Sequence, residues 1–253
     1  MRIINILWTG GWDSTYRVLS LIDKKVTIQP YYLKDNRKSE GLELKAIETI
    51  TEQIRNHPRT KCNLLKLVTI YVSDIAKDKE ITNSYVNILK SDFYGSQYEW
   101  LARFAKTVEN LELTIHQEDK AFSIIKKYGE IKKTHDELYF RFYVLDKEKS
   151  SEDLIKVFGN YRFPILDSSK LKMKLWAESM GLLDIMNMTW FCHHPKNNAP
   201  CGVCNPCIYT IEEGLIYRFS KRALRRYRIY KIIRPLKQSY FYRYARMIYK
   251  KIR

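Results

Sequence analysis

The sequence lacks any long apolar segment. No run approaches the roughly 18 apolar residues that a membrane-spanning helix needs, so we expect no transmembrane segment. The apolar stretch at residues 3–8 is too short for the core of a secretion signal, and no small-residue cleavage site follows it. We interpret this stretch as the first strand of a cytoplasmic protein.

Acidic residues are absent from the last part of the chain. Residues 218–253 contain fourteen Lys and Arg and neither Asp nor Glu. The preceding residues hold 31 basic side chains against 28 acids, so most of the net charge of +17 belongs to this basic tail. Aromatic residues are interleaved with the basic ones: Tyr227, Tyr230, Tyr240, Phe241, Tyr242, Tyr244 and Tyr249. The tail therefore suggests an anionic partner, which is RNA, an anionic membrane surface or an acidic protein; the alternative is a solvated helical face.

A Walker-type phosphate loop is also missing, because no glycine is followed by Lys and then Ser or Thr. A glycine pair instead lies in the segment Thr9-Gly10-Gly11-Trp12-Asp13-Ser14, between an apolar run and a helical pattern. Paired glycines let the backbone approach a phosphate, and the helix after them offers its positive end. Hydroxyls of Thr9 and Ser14 can donate to phosphate oxygens, and Asp13 suits Mg²⁺ or a role in holding the loop. The alternative is an ordinary strand–helix turn.

The order of the periodic segments indicates an α/β fold. Strand patterns occur at residues 3–8, 26–33, 64–72 and 111–116. Helical patterns lie between them, at residues 15–22, 40–55 and 81–108, the last interrupted near Gly95. This β-α-β order predicts a doubly wound parallel sheet with helices on both faces.

The second half of the chain is less regular. Residues 136–146 fit either a helix or a strand. Residues 168–181 fit an amphipathic helix that Ser168 or Ser169 caps and Gly181 ends, and another helix is expected near Pro206.

Four of the five cysteines are clustered. Cys192, Cys201, Cys204 and Cys207 are separated by eight, two and two residues. Four thiolates at this spacing suit a tetrahedral, structural Zn²⁺, and the rival is a [4Fe–4S] cluster. His193 and His194 are substitute ligands, although four cysteines already complete the shell. Cys62 stands alone and is interpreted as a buried thiol.

Residues 9–14 resemble the Ser-Gly-Gly-x-Asp-Ser signature of PP-loop ATP pyrophosphatases, with Thr9 in place of the first serine. Such enzymes cleave ATP between the α and β phosphates and transfer AMP to a substrate oxygen. The loop and the cysteines together resemble the 7-cyano-7-deazaguanine synthase family over residues 3–215. Cys201-Gly202-Val203-Cys204 matches part of that family's zinc site, and Pro164-Ile165-Leu166 with Lys170 matches its Pro-Leu-x-n-Lys stretch.

The resemblance implies three groups of site residues. The ATP-binding group is Trp8, Thr9, Gly10, Gly11, Trp12, Asp13, Ser14, Thr15 and Leu33. Asp13, Ser14 and Lys170 are the implied catalytic residues, and Ser96, Gln97 and Asp119 are the implied substrate-binding residues. The substrate region departs from the family. Gly95-Ser96-Gln97 replaces Gly-Arg-Asn, the Tyr-Pro-Asp-Cys-Arg element is absent, and residues 116–119 lie near its place.

The resemblance implies an ATP-dependent synthetase that adenylates 7-carboxy-7-deazaguanine or a related acid. Ammonia or an amine then captures the acyl-adenylate, and in the family a second ATP converts the amide to a nitrile. Two alternatives remain: ligation of a deazapurine acid to an amine of a protein or RNA, and a nucleotide-binding accessory protein without turnover. We expect an ATP-binding domain at residues 1–165, a helical zinc-binding segment at 166–217, a basic tail at 218–253, and a homodimer as in the family.

Overall fold

The computed structural model describes the backbone of residues 2–136 and 140–238, and their side chains up to Pro235. The chain divides between Trp190 and Phe191 into two compact units. The first unit contains the glycine segment and all the strands, and the second contains the four clustered cysteines and the start of the basic tail. The predicted functional borders at residues 165 and 217 stay predictions.

A mainly parallel sheet forms the centre of the first unit. The strands in chain order are β1 (Ile3–Leu7), β2 (Thr27–Lys34), β3 (Asn63–Leu64), β4 (Val68–Tyr71), β5 (Leu111–Glu112), β6 (Glu130–His135), β7 (Arg141–Asp146) and β8 (Tyr161–Arg162). The main sheet has the order β3-β2-β1-β5-β8, β4 also pairs with β2, and every pair is parallel. The predicted α/β class and parallel sheet are therefore confirmed.

Ten helices accompany these strands in the part of the chain that the structure describes. They are α1 (Trp12–Leu19), α2 (Glu40–Asn56), α3 (Lys79–Ser91), α4 (Gln97–Ala105), α5 (Lys120–Tyr128), α6 (Glu152–Phe158), α7 (Lys170–Ser179), α8 (Leu183–Asn187), α9 (Asn205–Glu212) and α10 (Lys221–Gln238). The predicted break near Gly95 is confirmed, as are the helix near Pro206 and the cap of α7, where Ser169 Oγ accepts from the Lys172 N–H. No described helix has the length and apolarity to cross a membrane.

The predicted third strand is interrupted because of Pro30. β3 and β4 both pair with β2, and residues 65–67 between them leave the ladder. Pro30 lies in β2 opposite this gap and has no N–H to donate to a neighbouring strand. The side-chain amide of Gln29 donates to the Lys66 carbonyl at 3.2 Å, so this carbonyl in the gap still accepts a hydrogen bond.

One other prediction needs correction, and one open alternative is settled. α1 begins at Trp12 and ends at Leu19, not at residues 15–22, because Gly11 is already in the extended conformation of a helix cap. Asp13 and Ser14 therefore belong to the first helical turn. The ambiguous segment 136–146 is a strand from Arg141 onward, paired with β6 in an antiparallel hairpin.

Candidate functional site

The strand order reverses beside β1. The chain runs outward from β1 through β2 to β3 and β4, then returns to place β5 and β8 on the other side of β1. Segments leaving the carboxyl ends of β1 and β5 therefore diverge, which opens a crevice of the kind that binds ligands in parallel sheets. A cavity of about 210 Å³ lies there. Its lining is Leu7, Thr9, Gly11, Asp13, Ser14, Tyr31, Leu33, Arg37, Gln97, Tyr98, Trp100, Leu101, Leu113, Thr114, Ile115 and Asp119.

The turn between β1 and α1 requires glycine. Gly10 has a φ of +67°, and a Cβ there would lie 2.9 Å from the Glu43 carbonyl oxygen of α2. Gly11 then caps α1 without a side-chain hydrogen bond to the first turn. The first N–H groups of a helix have no intrahelical acceptor, so this end of α1 offers donors and a positive dipole to an anion. The hydroxyl oxygens of Thr9 and Ser14 lie 3.5 Å apart beside it.

Several residues of the predicted ATP-binding group lie behind the crevice. Trp8 is fully buried, and its indole Nε1–H donates to the Thr15 hydroxyl at 3.0 Å. Trp12 is also buried and does not line the cavity. These side chains support the loop, whereas five of the predicted residues line the crevice: Thr9, Gly11, Asp13, Ser14 and Leu33.

A buried histidine lies close to two of the carboxyl groups that line the crevice. His116 is only 2% exposed, and its Nε2 lies 3.9 Å from Asp13 Oδ1 and 3.9 Å from Asp119 Oδ2. Its Nδ1 accepts from the Glu118 backbone N–H at 3.2 Å. That hydrogen bond assigns the proton of the neutral ring to Nε2, on the side of the two carboxyl groups. The His116 backbone N–H also donates to Asp119 Oδ2 at 2.9 Å.

The environment of Asp119 raises the pKa of its carboxyl group. Burial raises the pKa of this carboxyl, the negative charge of Asp13 raises it further, and the charges of His116 and Lys170 act in the opposite direction, with a net increase. A carboxyl with a raised pKa in a crevice is a candidate for proton transfer.

The predicted substrate and catalytic residues are partly brought together. Gln97 and Asp119 line the crevice, whereas Ser96 is exposed and lies outside its lining. Lys170 is the first residue of α7, and its charge reaches Asp119. Periodicity could not single out His116, but its position in the segment that follows β5, a parallel strand next to β1, is a usable signal.

Arg37 is a second functional candidate that the sequence did not reveal. It lines the crevice and donates to Glu43 at 2.8 Å and to the Tyr32 hydroxyl at 3.1 Å. Burial acts to lower the pKa of this guanidinium, but the hydrogen bonds and charge of Glu43 outweigh it and raise the pKa. The guanidinium therefore stays charged and forms ion pairs with both Asp35 and Glu43 at the crevice.

A buried ion pair fixes α1 against β5. Arg17 donates to the two carboxylate oxygens of Glu112 at 2.7 Å each. Both side chains are buried, so the pair is bidentate and shielded from water. It holds the helix that carries Asp13 against the strand that leads to His116.

A larger cavity of about 550 Å³ lies at the opposite end of the sheet, beside the residues that precede β5 and β8. Ligands of open parallel sheets bind beyond the carboxyl ends of the strands. The smaller crevice is also lined by residues of the glycine turn and by Asp13, Arg37 and Asp119. We therefore regard the crevice as the candidate site.

The second unit contains a compact cysteine cluster. The sulfur atoms of Cys192, Cys201, Cys204 and Cys207 all lie within 4.8 Å of one another, so the four cysteines could hold a metal ion such as zinc. The Cys201 N–H donates to Cys192 Sγ at 3.2 Å, and the Cys204 N–H donates to Cys201 Sγ at 3.3 Å. These two N–H groups therefore point at sulfur atoms that would be ligands of the ion.

The other thiol and imidazole candidates lie apart from this cluster. His193 and His194 are exposed and do not belong to the group of ligand atoms. Cys62 is half-buried, and burial raises the pKa of its thiol. The reactive form of a cysteine is the thiolate, so the raised pKa lowers the reactivity of Cys62.

A scan against protein-family models finds no matching family, and a search of curated proteins finds no match.

Proposed function

We propose that this chain is an ATP-dependent synthetase that adenylates a carboxylate, releases pyrophosphate and transfers the acyl group to a nitrogen nucleophile. The observation that carries the proposal is the glycine turn at the switch point of the parallel sheet. There the uncapped end of α1 adjoins the hydroxyls of Thr9 and Ser14. Residues 9–14 resemble the PP-loop signature, so we infer that the anion bound at this end of α1 is the phosphate chain of ATP.

The walls of the crevice suit the other parts of the nucleotide and an acid. Leu33, Tyr31 and Leu101 form an apolar and aromatic surface against which a flat purine ring can pack. Arg37 and Lys170 supply positive charge that would attract a phosphate or a substrate carboxylate. The resemblance favours 7-carboxy-7-deazaguanine as the acid, and its flat bicyclic ring fits the same kind of surface.

Asp13 fits a role as a Mg²⁺ ligand. Its Oδ1 is a buried oxygen that has no hydrogen-bond partner among the described residues. Hard divalent cations prefer carboxylate oxygens. Magnesium, when bound, would offset the negative charge that develops on the leaving pyrophosphate.

Asp119 fits the role of the group that accepts a proton from the nitrogen nucleophile. Ammonia and simple amines are cations at neutral pH, and carboxylates attract them. Attack on the acyl-adenylate requires a neutral nitrogen, so one ammonium proton passes to an Asp119 oxygen. The C–N bond then forms as the bond between the acyl carbon and the phosphate oxygen breaks, and AMP leaves with the second proton that the nitrogen loses. His116 positions Asp119 through its backbone N–H. A base whose pKa is raised toward neutrality is more effective in this step.

We also propose that the cysteine cluster binds one structural Zn²⁺. Zn–S bonds of about 2.3 Å in a tetrahedron place the sulfurs about 3.8 Å apart. Cys201 and Cys207 have a Sγ–Sγ distance of 3.8 Å, and Cys192 and Cys204 one of 3.9 Å. In a [4Fe–4S] cluster each cysteine binds a different iron, which separates the sulfurs more widely. The spacing therefore favours a single ion.

Pyrophosphate release from ATP tests the adenylation. The purified chain is incubated with ATP and Mg²⁺, with and without 7-carboxy-7-deazaguanine, and with a panel of other carboxylic acids. Release that depends on one of the acids, with AMP in equal amount, is the expected result. Binding of ATP without release for any acid would favour the nucleotide-binding accessory protein, and no binding of ATP would contradict both functions.

A further inference from the structure

The first half of α10 is fixed to the cysteine cluster. Gly202 has a φ of +82°, and a Cβ there would lie 2.3 Å from the Ala223 carbonyl oxygen. Arg226 donates from Nε to the Cys201 carbonyl at 2.7 Å, and the Tyr227 hydroxyl lies 3.1 Å from Glu212 Oε1. The helix therefore starts on a rigid base.

The second half of α10 has an apolar face without a partner in the described part of the chain. Ile229, Ile232 and Ile233 are 47%, 70% and 38% exposed. Their spacing of three and four residues places them on one side of a helix. Isolated exposed apolar residues are common, but three isoleucines on one helical face form a patch that calls for a partner.

The opposite face of the same segment is basic. Arg228, Lys231 and Arg234 follow one another at intervals of three. At 100° per residue Lys231 and Arg234 lie across the helix from the isoleucines, and Arg228 lies at the border of the isoleucine face. None of the three forms an ion pair with a described residue, and all are exposed. Residues 228–234 therefore form a short amphipathic, basic segment of α10. Nearer the start of α10, the apolar side chains that make contacts lie on a different face of the helix.

We propose that residues 228–234 dock on an anionic membrane surface. Helices that lie in the bilayer interface combine an apolar face with a Lys- and Arg-rich face. The tail beyond Gln238 adds basic residues, no acids and several tyrosines, a composition typical of the interface. No described helix can cross the bilayer, so the protein would lie on the surface.

The isoleucines distinguish this partner from a nucleic acid. Phosphate backbones attract Lys and Arg, and single-stranded bases stack on aromatic or guanidinium planes. Branched aliphatic side chains offer no stacking plane and would remain in water beside a phosphate backbone. The acyl boundary of a bilayer removes them from water, and anionic headgroups balance the basic face. Of these two partners, the lipid surface is the one that satisfies both faces.

Vesicle flotation tests the proposal. The full-length protein is mixed with phosphatidylcholine vesicles, with and without phosphatidylserine, at low and high salt. We expect flotation with the phosphatidylserine vesicles only, and less at high salt. Replacement of one basic residue, as in Arg234→Gln, should weaken binding by roughly fivefold. Ile232→Ser should weaken it by a comparable or larger factor, because this isoleucine is the most exposed of the three.

Matched controls separate the surface from general effects. Val86→Ser removes an exposed apolar side chain from α3, and Lys25→Gln removes an exposed charge from the turn after α1. Both should bind vesicles as the unchanged protein does, and unchanged melting of all variants excludes misfolding. Single-stranded RNA is tested in parallel. Binding of RNA but not vesicles, or vesicle binding that Ile232→Ser leaves unchanged, would overturn the proposal.

Discussion

His116 Nε2 lies 3.9 Å from Asp13 Oδ1, and this short distance connects the segments that follow β1 and β5. These strands are neighbours in the sheet, although about a hundred residues separate Asp13 from His116 in the chain. The Arg17–Glu112 ion pair reinforces the same junction from behind. The candidate site therefore forms because the sheet places β1 beside β5. Each of its parts can be tested separately.

We predict that Asp13→Asn reduces acid-dependent pyrophosphate release by about 100-fold or more, because the amide cannot balance a divalent cation as a carboxylate does. The variant should fold normally, since Asp13 Oδ1 makes no hydrogen bond with the described residues. Asp23→Asn is the matched control, because Asp23 lies in the turn after α1 and outside the crevice lining. Equal rates in the two variants would remove Asp13 from the proposed mechanism.

A second prediction concerns the glycine turn. Gly10 and Gly181 have nearly the same φ, +67° and +68°, but only Gly10 has neighbours within 4 Å of an added Cβ. Gly181→Ala should cost about 1–2 kcal/mol of unfolding free energy, the penalty of the left-handed conformation alone. Gly10→Ala should cost more and weaken ATP binding, because the new methyl group would push α2 away from the turn. Urea unfolding and ATP titration measure both effects, and equal costs would show that the turn tolerates the contact.

The fold was more predictable from the sequence than the site. Strand and helix patterns depend on neighbouring residues, so β1, β2, α2 and the break at Gly95 could be recognised. The gap between β3 and β4 could not, because it depends on Pro30 in the adjacent strand. Whether a residue of the glycine segment faces the ligand or the core also depends on tertiary packing. Trp8 and Thr15 illustrate this, since their side chains bond to each other behind the crevice.

The cysteine cluster shows the opposite case. Its spacing alone predicted a metal site, because ligands close in sequence are close in space, and the sulfur distances agree. The contact between Gly202 and Ala223 was not predictable, since nothing in the sequence indicates that α10 returns to the cluster. The predicted aromatic residues of the tail from Tyr240 onward lie outside the described residues.

We predict one zinc per chain and a dependence of α10 on it. Metal removal or Cys204→Ser should lower the melting temperature and increase amide hydrogen exchange in residues 221–228, because Arg226 bonds to the Cys201 carbonyl. Cys62→Ser is the matched control, since this thiol lies outside the cluster. Elemental analysis counts the metal. Iron with sulfide would contradict the zinc assignment, and unchanged exchange after metal removal would contradict the coupling to α10.

The last prediction uses the raised pKa of Asp119. A carboxyl whose pKa is higher in the folded than in the unfolded protein binds protons more readily when folded. Its ionisation therefore destabilises the fold as the pH rises through the folded pKa, and has no such effect below the unfolded value of about 3.9. Asp119→Asn should accordingly raise the free energy of unfolding at neutral pH, and the gain should shrink as the pH falls toward 4.

The same variant should lose amide formation, because the amide cannot accept the ammonium proton, while acid-dependent pyrophosphate release continues. Hydroxylamine is largely uncharged at neutral pH and should restore product formation in the variant. Glu118→Gln, which alters an exposed neighbour, serves as the control. Denaturant unfolding across the pH range and product analysis with both nucleophiles measure these effects. A gain in stability that is independent of pH would contradict the raised pKa, and equal losses with ammonia and hydroxylamine would contradict the role of Asp119 as a base.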